Sequence, residues 1–275
     1  MKKEVNKKNK ILVILGMHRS GTSLTAQWIL RSGLNLGDEL MGADKSNKFG
    51  HVEEMDFVSI HRDMLKHNGY VYSSNIDREL EFIPYYHARG EAIVQFKNKL
   101  HHSWGWKDPR TCLFLNFWAE KIPEAKYFIV FRSPELVVDS LLRREYSSLR
   151  KINILPLRWV RQLWFKFHIA EKYDIYLKSW IGHNQRILDF IRDKRLGEDF
   201  VLVRLRDLKD KANFLSKHIS NSWKFDIETI PFSDVYEEKY LKKSTKYKVQ
   251  KSGTLITESR KIEKALSLLA EKHFN

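Results

Sequence analysis

The sequence predicts an α/β fold, a doubly wound parallel sheet flanked by helices in a single domain. Short apolar runs occur at residues 11–15, without interruption, and at 126–131 and 200–205, each with one basic residue, and such runs are typical of strands buried on both faces of a parallel sheet. Segments with helical spacing separate these runs, and this alternation indicates a doubly wound sheet. The chain has 275 residues, 43% of them hydrophobic, which is enough for one large packed domain and excludes general disorder.

The elements are predicted in the following order. Residues 1–10 are a basic lead-in with five lysines that we expect to be flexible, and residues 11–275 form the domain. The strand at 11–15 leads through a glycine-bounded loop into a helix at 24–31. A strand at 104–109 ends in a turn, and residues 36–52 and the lysine-rich, possibly mobile segment 238–253 are loops. The remaining helices are expected at 55–67, 134–144, 158–191 in two pieces, and 262–273.

Charge and cysteine content restrict the partners and the compartment. Lys and Arg number 49 against 34 Asp and Glu, a net charge of +15, which favours an anionic partner such as a nucleotide, a nucleic acid, an acidic glycan or a membrane surface. The single cysteine, Cys112, allows no intrachain disulfide and fits a reducing compartment. The apolar run at 11–17 is short for a signal peptide, and no stretch reaches the length of a membrane span. We therefore expect a cytoplasmic protein without an integral membrane segment.

The loop after the first strand has the spacing of a phosphate-binding loop. Its sequence, G-M-H-R-S-G-T-S at residues 16–23, nearly matches G-x-x-x-x-G-K-[ST], so the fold is expected to be P-loop-like. Glycines let the backbone curl until its N–H groups point inward, and the following helix adds its positive end. We therefore expect an anion cradle formed by Arg19, Ser20, Gly21, Thr22 and Ser23.

The basic residue of this loop differs from that of nucleoside triphosphatases. Thr22 stands where those proteins have a lysine, and Arg19 lies two positions before the second glycine. The strand at 126–131 is followed by Arg132, whereas a magnesium site would need a carboxylate there. The sequence therefore predicts an anion site built from cationic side chains, with no metal.

Two motifs together resemble the bacterial-type, PAPS-dependent sulfotransferases, which use 3′-phosphoadenylyl sulfate (PAPS) as donor. R-S-G-T-S at 19–23 resembles the 5′-phosphosulfate loop of that family. F-R-S-P at 131–134, with D-S at 139–140, resembles its 3′-phosphate motif, in which an arginine and a serine eight positions later reach the phosphate. The resemblance implies that Arg132 and Ser140 bind the 3′-phosphate. Weaker similarities occur at 47–53, 106–110, 180–184 and 203–208.

The resemblance also implies an activity. A sulfotransferase of this kind moves the sulfuryl group to a hydroxyl acceptor, here a glycan, lipid or small metabolite, possibly anionic, and releases 3′,5′-adenosine bisphosphate (PAP). Arg19 and Lys107 are the expected cations at the reacting group, and Glu53 is the expected base for the acceptor hydroxyl. Further candidates for the base are Glu54, His51, His61 and His183.

Two other functions are compatible with parts of the sequence. A P-loop-like kinase or nucleotide hydrolase would share the loop, but such an enzyme has a lysine at the position of Thr22 in this chain. A basic nucleic-acid or membrane-surface binding protein would share the charge, but it does not need two anion motifs. The aromatic and basic residues at 143–161 and 164–178 predict a pair of amphipathic helices whose aromatic residues lie in the core and whose cations are solvated, so no nucleic-acid partner is expected.

Overall fold

The computed structural model of the protein describes residues 8–42, 50–71, 76, 78–194, 196–235, 247 and 253–274. These residues form one parallel sheet of four strands in the order β2-β1-β3-β4. The strands are β1 (Lys10–Leu15), β2 (Ser103–Lys107), β3 (Lys126–Phe131) and β4 (Phe200–Arg204). Because all four are parallel, their carboxyl ends lie at one edge of the sheet, where doubly wound folds bind ligands.

Helices cover both faces of the sheet, which confirms the predicted doubly wound α/β fold. Alternate residues of β1 enter two different cores: Ile11, Val13 and Leu15 lie in one and Leu12 and Ile14 in the other. The helices are α1 (Thr22–Arg31), α2 (Met55–His67), α3 (Pro84–Leu100), α4 (Leu115–Lys121), α5 (Pro134–Leu149), α6 (Leu155–Phe167), α7 (Ile169–Asp193), α8 (Leu208–Lys217) and α9 (Gly253–Lys272). Helices α1 and α8 lie on the second face, and the other helices contribute to the first core.

The boundaries differ from the sequence prediction in several places. Strand β1 already begins at Lys10, the last residue of the predicted lead-in, and α5 continues to Leu149. Helix α9 begins at Gly253, and helices α3, α4 and α8 were not predicted. Residues 1–7 and most of 238–253 lie outside the described residues. The flexibility of both segments therefore stays a prediction.

The aromatic residues of α6 contradict the prediction that they lie in the core. Phe165 is buried, but Trp159, Trp164 and Phe167 are 68%, 53% and 77% exposed. Helical spacing shows that a helix has an apolar face, but it does not show what that face contacts. The prediction is right for α7, where Tyr173 is buried. None of the described helices combines the length and apolar character needed to cross a bilayer.

Candidate functional site

The backbone of the loop at 16–21 can form only with glycine at its two ends. Gly16 has φ 149°, and a Cβ there would lie 2.3 Å from the carbonyl oxygen of Val130 in β3. Gly21 has φ 100°, and its Cβ would lie 2.4 Å from Cδ1 of Leu205, just after β4. Arg19 also has a left-handed backbone, with φ 70°. The loop is thus packed tightly on neighbouring strand ends in a conformation that side chains rarely adopt.

The loop presents hydrogen-bond donors to a ligand. Gly21 is the N-cap of α1 and provides no side-chain cap, and the first turn carries no acidic residue. The amino end of this helix is therefore electropositive. The hydroxyl of Ser20 is fully buried and has no hydrogen-bond partner among the described residues. A buried hydroxyl without a partner costs about 1–3 kcal/mol, so these donors fit a bound anion.

Arg19 and Ser140 join the two predicted anion motifs. Nε of Arg19 donates to Oγ of Ser140 over 2.9 Å, although 121 residues separate them in the sequence. Burial lowers the pKa of Arg132, and so do the nearby charges of Arg19 and Arg143, while Asp139 opposes them. Asp139 also forms an ion pair with Arg143 one helical turn later. The structure therefore places a group of guanidinium groups beside the loop, which is electrostatically favourable for an anionic ligand.

Lys107 contacts both Glu53, the predicted base, and the loop. Its ammonium is fully buried at the end of β2, where Nζ donates to Oε1 of Glu53 over 2.9 Å and to Oγ of Ser23 over 3.2 Å. Burial lowers the pKa of Lys107, and the charge of Glu53 opposes that effect. A cation, a carboxylate and a loop hydroxyl from three separate segments are thus in direct contact.

A buried hydrogen-bond chain holds the other side of Glu53. Arg110 donates from Nη2 to Oε2 of Glu53 over 3.0 Å and from Nε to Asp108 over 2.9 Å. Asp108 also accepts from Nδ1 of His61 at 2.8 Å, and Nε2 of His61 accepts from Trp118 at 2.8 Å. Burial would raise the pKa of Asp108, but Arg110 and His61 hold it well below its usual value. Both nitrogens of His61 are engaged, so in this arrangement it orients Asp108.

Glu54, the neighbour of Glu53, lies in a different cluster. It is the N-cap residue of α2, and its carboxylate accepts from Nζ of Lys97 at 2.5 Å and from the backbone N–H of Glu39 at 3.0 Å. Lys97 also pairs with Asp38 at 2.8 Å and Asp56 at 3.2 Å. Burial raises the pKa of Glu54 despite the opposing charge of Lys97. The structure therefore assigns the two adjacent carboxylates to different surroundings, and only Glu53 contacts Lys107.

The remaining histidine candidates are less directly placed. Nδ1 of His51 lies 4.0 Å from Oε1 of Glu53, with its side chain 19% exposed. His183 donates from Nδ1 to the carbonyl oxygen of Ser179 at 2.8 Å, and its ring lies 6.5 Å from that of His18. Burial lowers the pKa of His183 to about 4. At neutral pH His183 is therefore uncharged and buried.

No protein-family model and no curated protein matches this chain. Among solved structures it is similar to a sulfotransferase domain from the curacin biosynthetic pathway, with a TM-score of 0.52 and 14% identity, covering 95% of this chain and 98% of that one. The protein has a sulfotransferase-like fold. At this level of identity the likeness concerns the fold and leaves the activity to be argued from the site.

The sulfotransferase-like fold brings the predicted residues of the loop, Glu53, Lys107, Arg132 and Ser140 to one edge of the sheet, and their roles stay predictions. Within the described ranges, no group of three or more His, Cys, Asp or Glu is arranged to hold a metal ion, and metal independence likewise stays a prediction. Sequence reasoning missed Arg143 and Lys97. Arg143 was detectable, because it lies one turn after Asp139 on the same helix. Lys97 had no local signal, since its partners lie 41–59 residues away.

Proposed function

We propose that this protein is a sulfotransferase that moves a sulfuryl group from PAPS to a hydroxyl acceptor and releases PAP. The observation that carries the proposal is the hydrogen bond from Arg19 to Ser140. It places the loop after β1 and the motif after β3 side by side, as a ligand with two anionic ends requires. The sulfotransferase-like fold supports this assignment.

The chain's own groups divide between the two ends of such a donor. The amino end of α1, with Arg19 and the unpartnered hydroxyl of Ser20, would hold the 5′-phosphosulfate. Arg132 and Ser140 would hold the 3′-phosphate, because a guanidinium can donate two parallel hydrogen bonds to phosphate. Burial, and after it the charge of Arg19, lowers the pKa of Arg132, and an anion bound beside both guanidinium groups would relieve their mutual repulsion.

The reacting groups are proposed to be Glu53 and Lys107. Bound PAPS would supply a sulfuryl group attached to a phosphate leaving group. Glu53 accepts the proton of the acceptor hydroxyl on a carboxylate oxygen as the new O–S bond forms and the S–O bond to phosphate breaks. Lys107, with Arg19, stabilises the negative charge that spreads over the sulfuryl and leaving oxygens. The contact between Lys107 and Ser23 positions this ammonium at the start of α1.

The acceptor is proposed by class only. It carries a hydroxyl group, and the cations around the site, with the net charge of +15, favour an anionic glycan, lipid or small metabolite. Arg110 is the candidate residue for contact with it, because its guanidinium donates to Glu53, the proposed base, and 11% of its side chain is exposed. A screen of hydroxyl-bearing compounds with PAPS as donor identifies the class by the release of PAP.

Calorimetric titration with PAP tests the proposal. We expect saturable binding without magnesium, weaker binding of adenosine 5′-phosphate, and stabilisation of about 2.7 kcal/mol at a PAP concentration 100 times its Kd. Ser140→Ala and Arg132→Gln should each weaken PAP binding by roughly tenfold or more, because a hydrogen bond to a charged group contributes about 1.5–3 kcal/mol. Arg192→Gln, on an arginine whose side chain is 71% exposed on α7, is the matched control and should bind normally.

Two results would count against the proposal. A folded protein that does not bind PAP would refute it. Binding of ATP only in the presence of magnesium would favour the kinase or hydrolase alternative, in which Lys107 would replace the missing lysine of the loop.

A further inference from the structure

Helix α6 exposes an apolar face to solvent. At about 100° per residue, Trp159, Val160, Leu163, Trp164 and Phe167 fall on one continuous arc of this helix. Their side chains are 68%, 64%, 55%, 53% and 77% exposed, respectively. Single exposed apolar residues are common on protein surfaces, but a contiguous patch of large ones marks an interaction site.

The side of α6 that faces the protein is the more polar one. Phe165 is the buried residue of this described helix, and its ring packs 5.4 Å from Tyr146 and 6.3 Å from Tyr247. Arg158 and Gln162, which neighbour Phe165 on the helical surface, are half-buried. A helix of a globular protein normally buries its apolar face. Helix α6 has the opposite orientation, so its apolar arc is available to a partner outside the described chain.

The charged residues of α6 and of its flanks in the sequence are all cationic, and the nearby Glu145 is paired with Lys172, which lies over the ring of Trp164. Residues 147–170 contain no Asp or Glu, and they contain five cationic residues, namely Arg150, Lys151, Arg158, Arg161 and Lys166. By helical geometry, Arg161 and Lys166 fall at the two edges of the apolar arc, and both are exposed. Cations beside Trp, Phe and Leu are the pattern of helices that lie in the interface of an anionic bilayer. The long stems of Lys and Arg extend their charges toward lipid headgroups.

We propose that α6 docks this protein on the surface of an anionic lipid bilayer, with Trp159, Leu163, Trp164 and Phe167 between the headgroups and acyl chains. A second copy of this chain is a poorer occupant, because it would bring two sets of five cations together. A nucleic acid is also poorer, because the centre of the arc consists of Leu, Val and aromatic side chains, and its cations lie at the edges. The inference goes beyond the proposed activity and does not depend on the nucleotide site.

Vesicle sedimentation of the full chain tests this inference. We expect the protein to bind vesicles of equal parts phosphatidylcholine and phosphatidylglycerol, and to bind pure phosphatidylcholine roughly tenfold or more weakly. The double variant Trp159→Ser/Trp164→Ser should lose most of this binding, and Arg161→Glu/Lys166→Glu should lose it at least as strongly. Tyr85→Ser/Phe96→Ser, on residues of α3 that are 60% and 54% exposed, is the matched control and should bind as the parent does.

Circular dichroism and thermal unfolding establish that each variant is folded before binding is compared. Failure of the parent protein to bind the anionic vesicles overturns the inference, and so does binding as strong as the parent's by either α6 double variant. Light scattering measures the oligomeric state. A dimer that Trp159→Ser/Trp164→Ser converts to a monomer would assign this face to a second copy of the chain. If competing duplex DNA abolishes vesicle binding and the tryptophan variant binds as the parent does, the cationic residues would be assigned to nucleic-acid binding.

Discussion

Glu53 and Lys107 form a buried ion pair, with Oε1 and Nζ 2.9 Å apart, although the two residues are 54 positions apart in the sequence. Arg110 occupies the second carboxylate oxygen, so both oxygens of Glu53 are held by cations. The pair contacts the phosphate-binding loop through Ser23. A carboxylate fixed in this way has a defined direction, and it must exchange one of its ionic hydrogen bonds when it accepts a proton.

Replacement of the two adjacent glutamates should give different results. We expect Glu53→Gln to lower PAP release from PAPS about 10²- to 10⁴-fold, the usual contribution of a positioned base. Glu54→Gln should keep most of the turnover but lose stability, because its carboxylate neutralises the buried ammonium of Lys97. Turnover with the best acceptor of a hydroxyl panel and thermal unfolding measure the two effects.

The pair of variants is its own control, since each removes one charge from a buried glutamate at the start of α2. Equal and full turnover in both would eliminate a carboxylate base. A larger loss of turnover in a folded Glu54→Gln variant than in Glu53→Gln would show that Glu54, and not Glu53, is the base.

Arg19→Ala should separate catalysis from folding. We expect the variant to remain folded and to lose turnover about 10²- to 10³-fold, as is typical when one donor to a developing negative charge is removed. Arg19→Lys keeps the positive charge but cannot form bidentate hydrogen bonds, so its turnover should lie between that of the parent and that of Arg19→Ala. Steady-state rates of PAP release measure this order, and near-normal turnover of Arg19→Ala would contradict it.

Gly21→Ala should disrupt the loop through contact with Leu205. Gly21 and Gly33 have nearly the same φ, 100° and 103°, but a Cβ at Gly21 would lie 2.4 Å from Leu205, whereas nothing lies within 4 Å of one at Gly33. The backbone strain of about 1–3 kcal/mol is therefore common to both alanine variants. We expect Gly21→Ala to unfold at a lower temperature than Gly33→Ala and to bind PAP more weakly. Matching melting temperatures for the two variants would mean that Leu205 moves aside without cost.

His183 should make the stability depend on pH. Because burial lowers its pKa from 6.5 to about 4, the unfolded chain binds more protons than the folded one between these values. The contribution of His183 is thus complete above pH 6.5 and is lost as the pH falls toward 4. From pH 7 to 5 this amounts to roughly 2 kcal/mol.

His183→Gln tests this effect, because it removes the titrating ring and retains a polar side chain. Urea unfolding at pH 7 and pH 5 should show a smaller loss of unfolding free energy in the variant than in the parent. The folded-state pKa values of His18 and His61 are lowered too, so the His183→Gln variant retains part of the pH dependence. An identical change of unfolding free energy between pH 7 and pH 5 in both proteins would show that His183 has the same pKa in the folded and the unfolded chain.

The sheet was predictable from the sequence because strands β1, β3 and β4 are buried on both faces. The runs at 11–15, 126–131 and 200–205 are almost uniformly apolar, and three strands of the structure lie on them. Helix α3 was missed for a physical reason. Its buried positions are Tyr86, Gly90, Val94 and Lys97, so the helical spacing is present but half of it carries no apolar side chain. Gly90 is small because Phe117 and Lys121 lie against it.

The two anion motifs of the candidate site could be predicted from the sequence, but the side chains that contact Glu53 and Glu54 could not. Glycine spacing and a strand-ending arginine are local features, so the loop and Arg132 were identified directly. The difference between Glu53 and Glu54 was not local, because it depends on whether Lys107 or Lys97 faces each carboxylate. The exposed face of α6 was also beyond sequence reasoning, because helical spacing is the same for a face that packs inward and one that points outward.

Strand β1 lies between β2 and β3 although it is made first. Lys126, the first residue of β3, follows Leu15 by 111 residues. At translation rates of about 5–20 residues per second, the run at 11–15 waits roughly 6–22 s for its second neighbour. Throughout that interval the edge of β1 that later pairs with β3 has no strand partner. We therefore expect slow codons placed before the β3 coding region to increase aggregation of the emerging polypeptide.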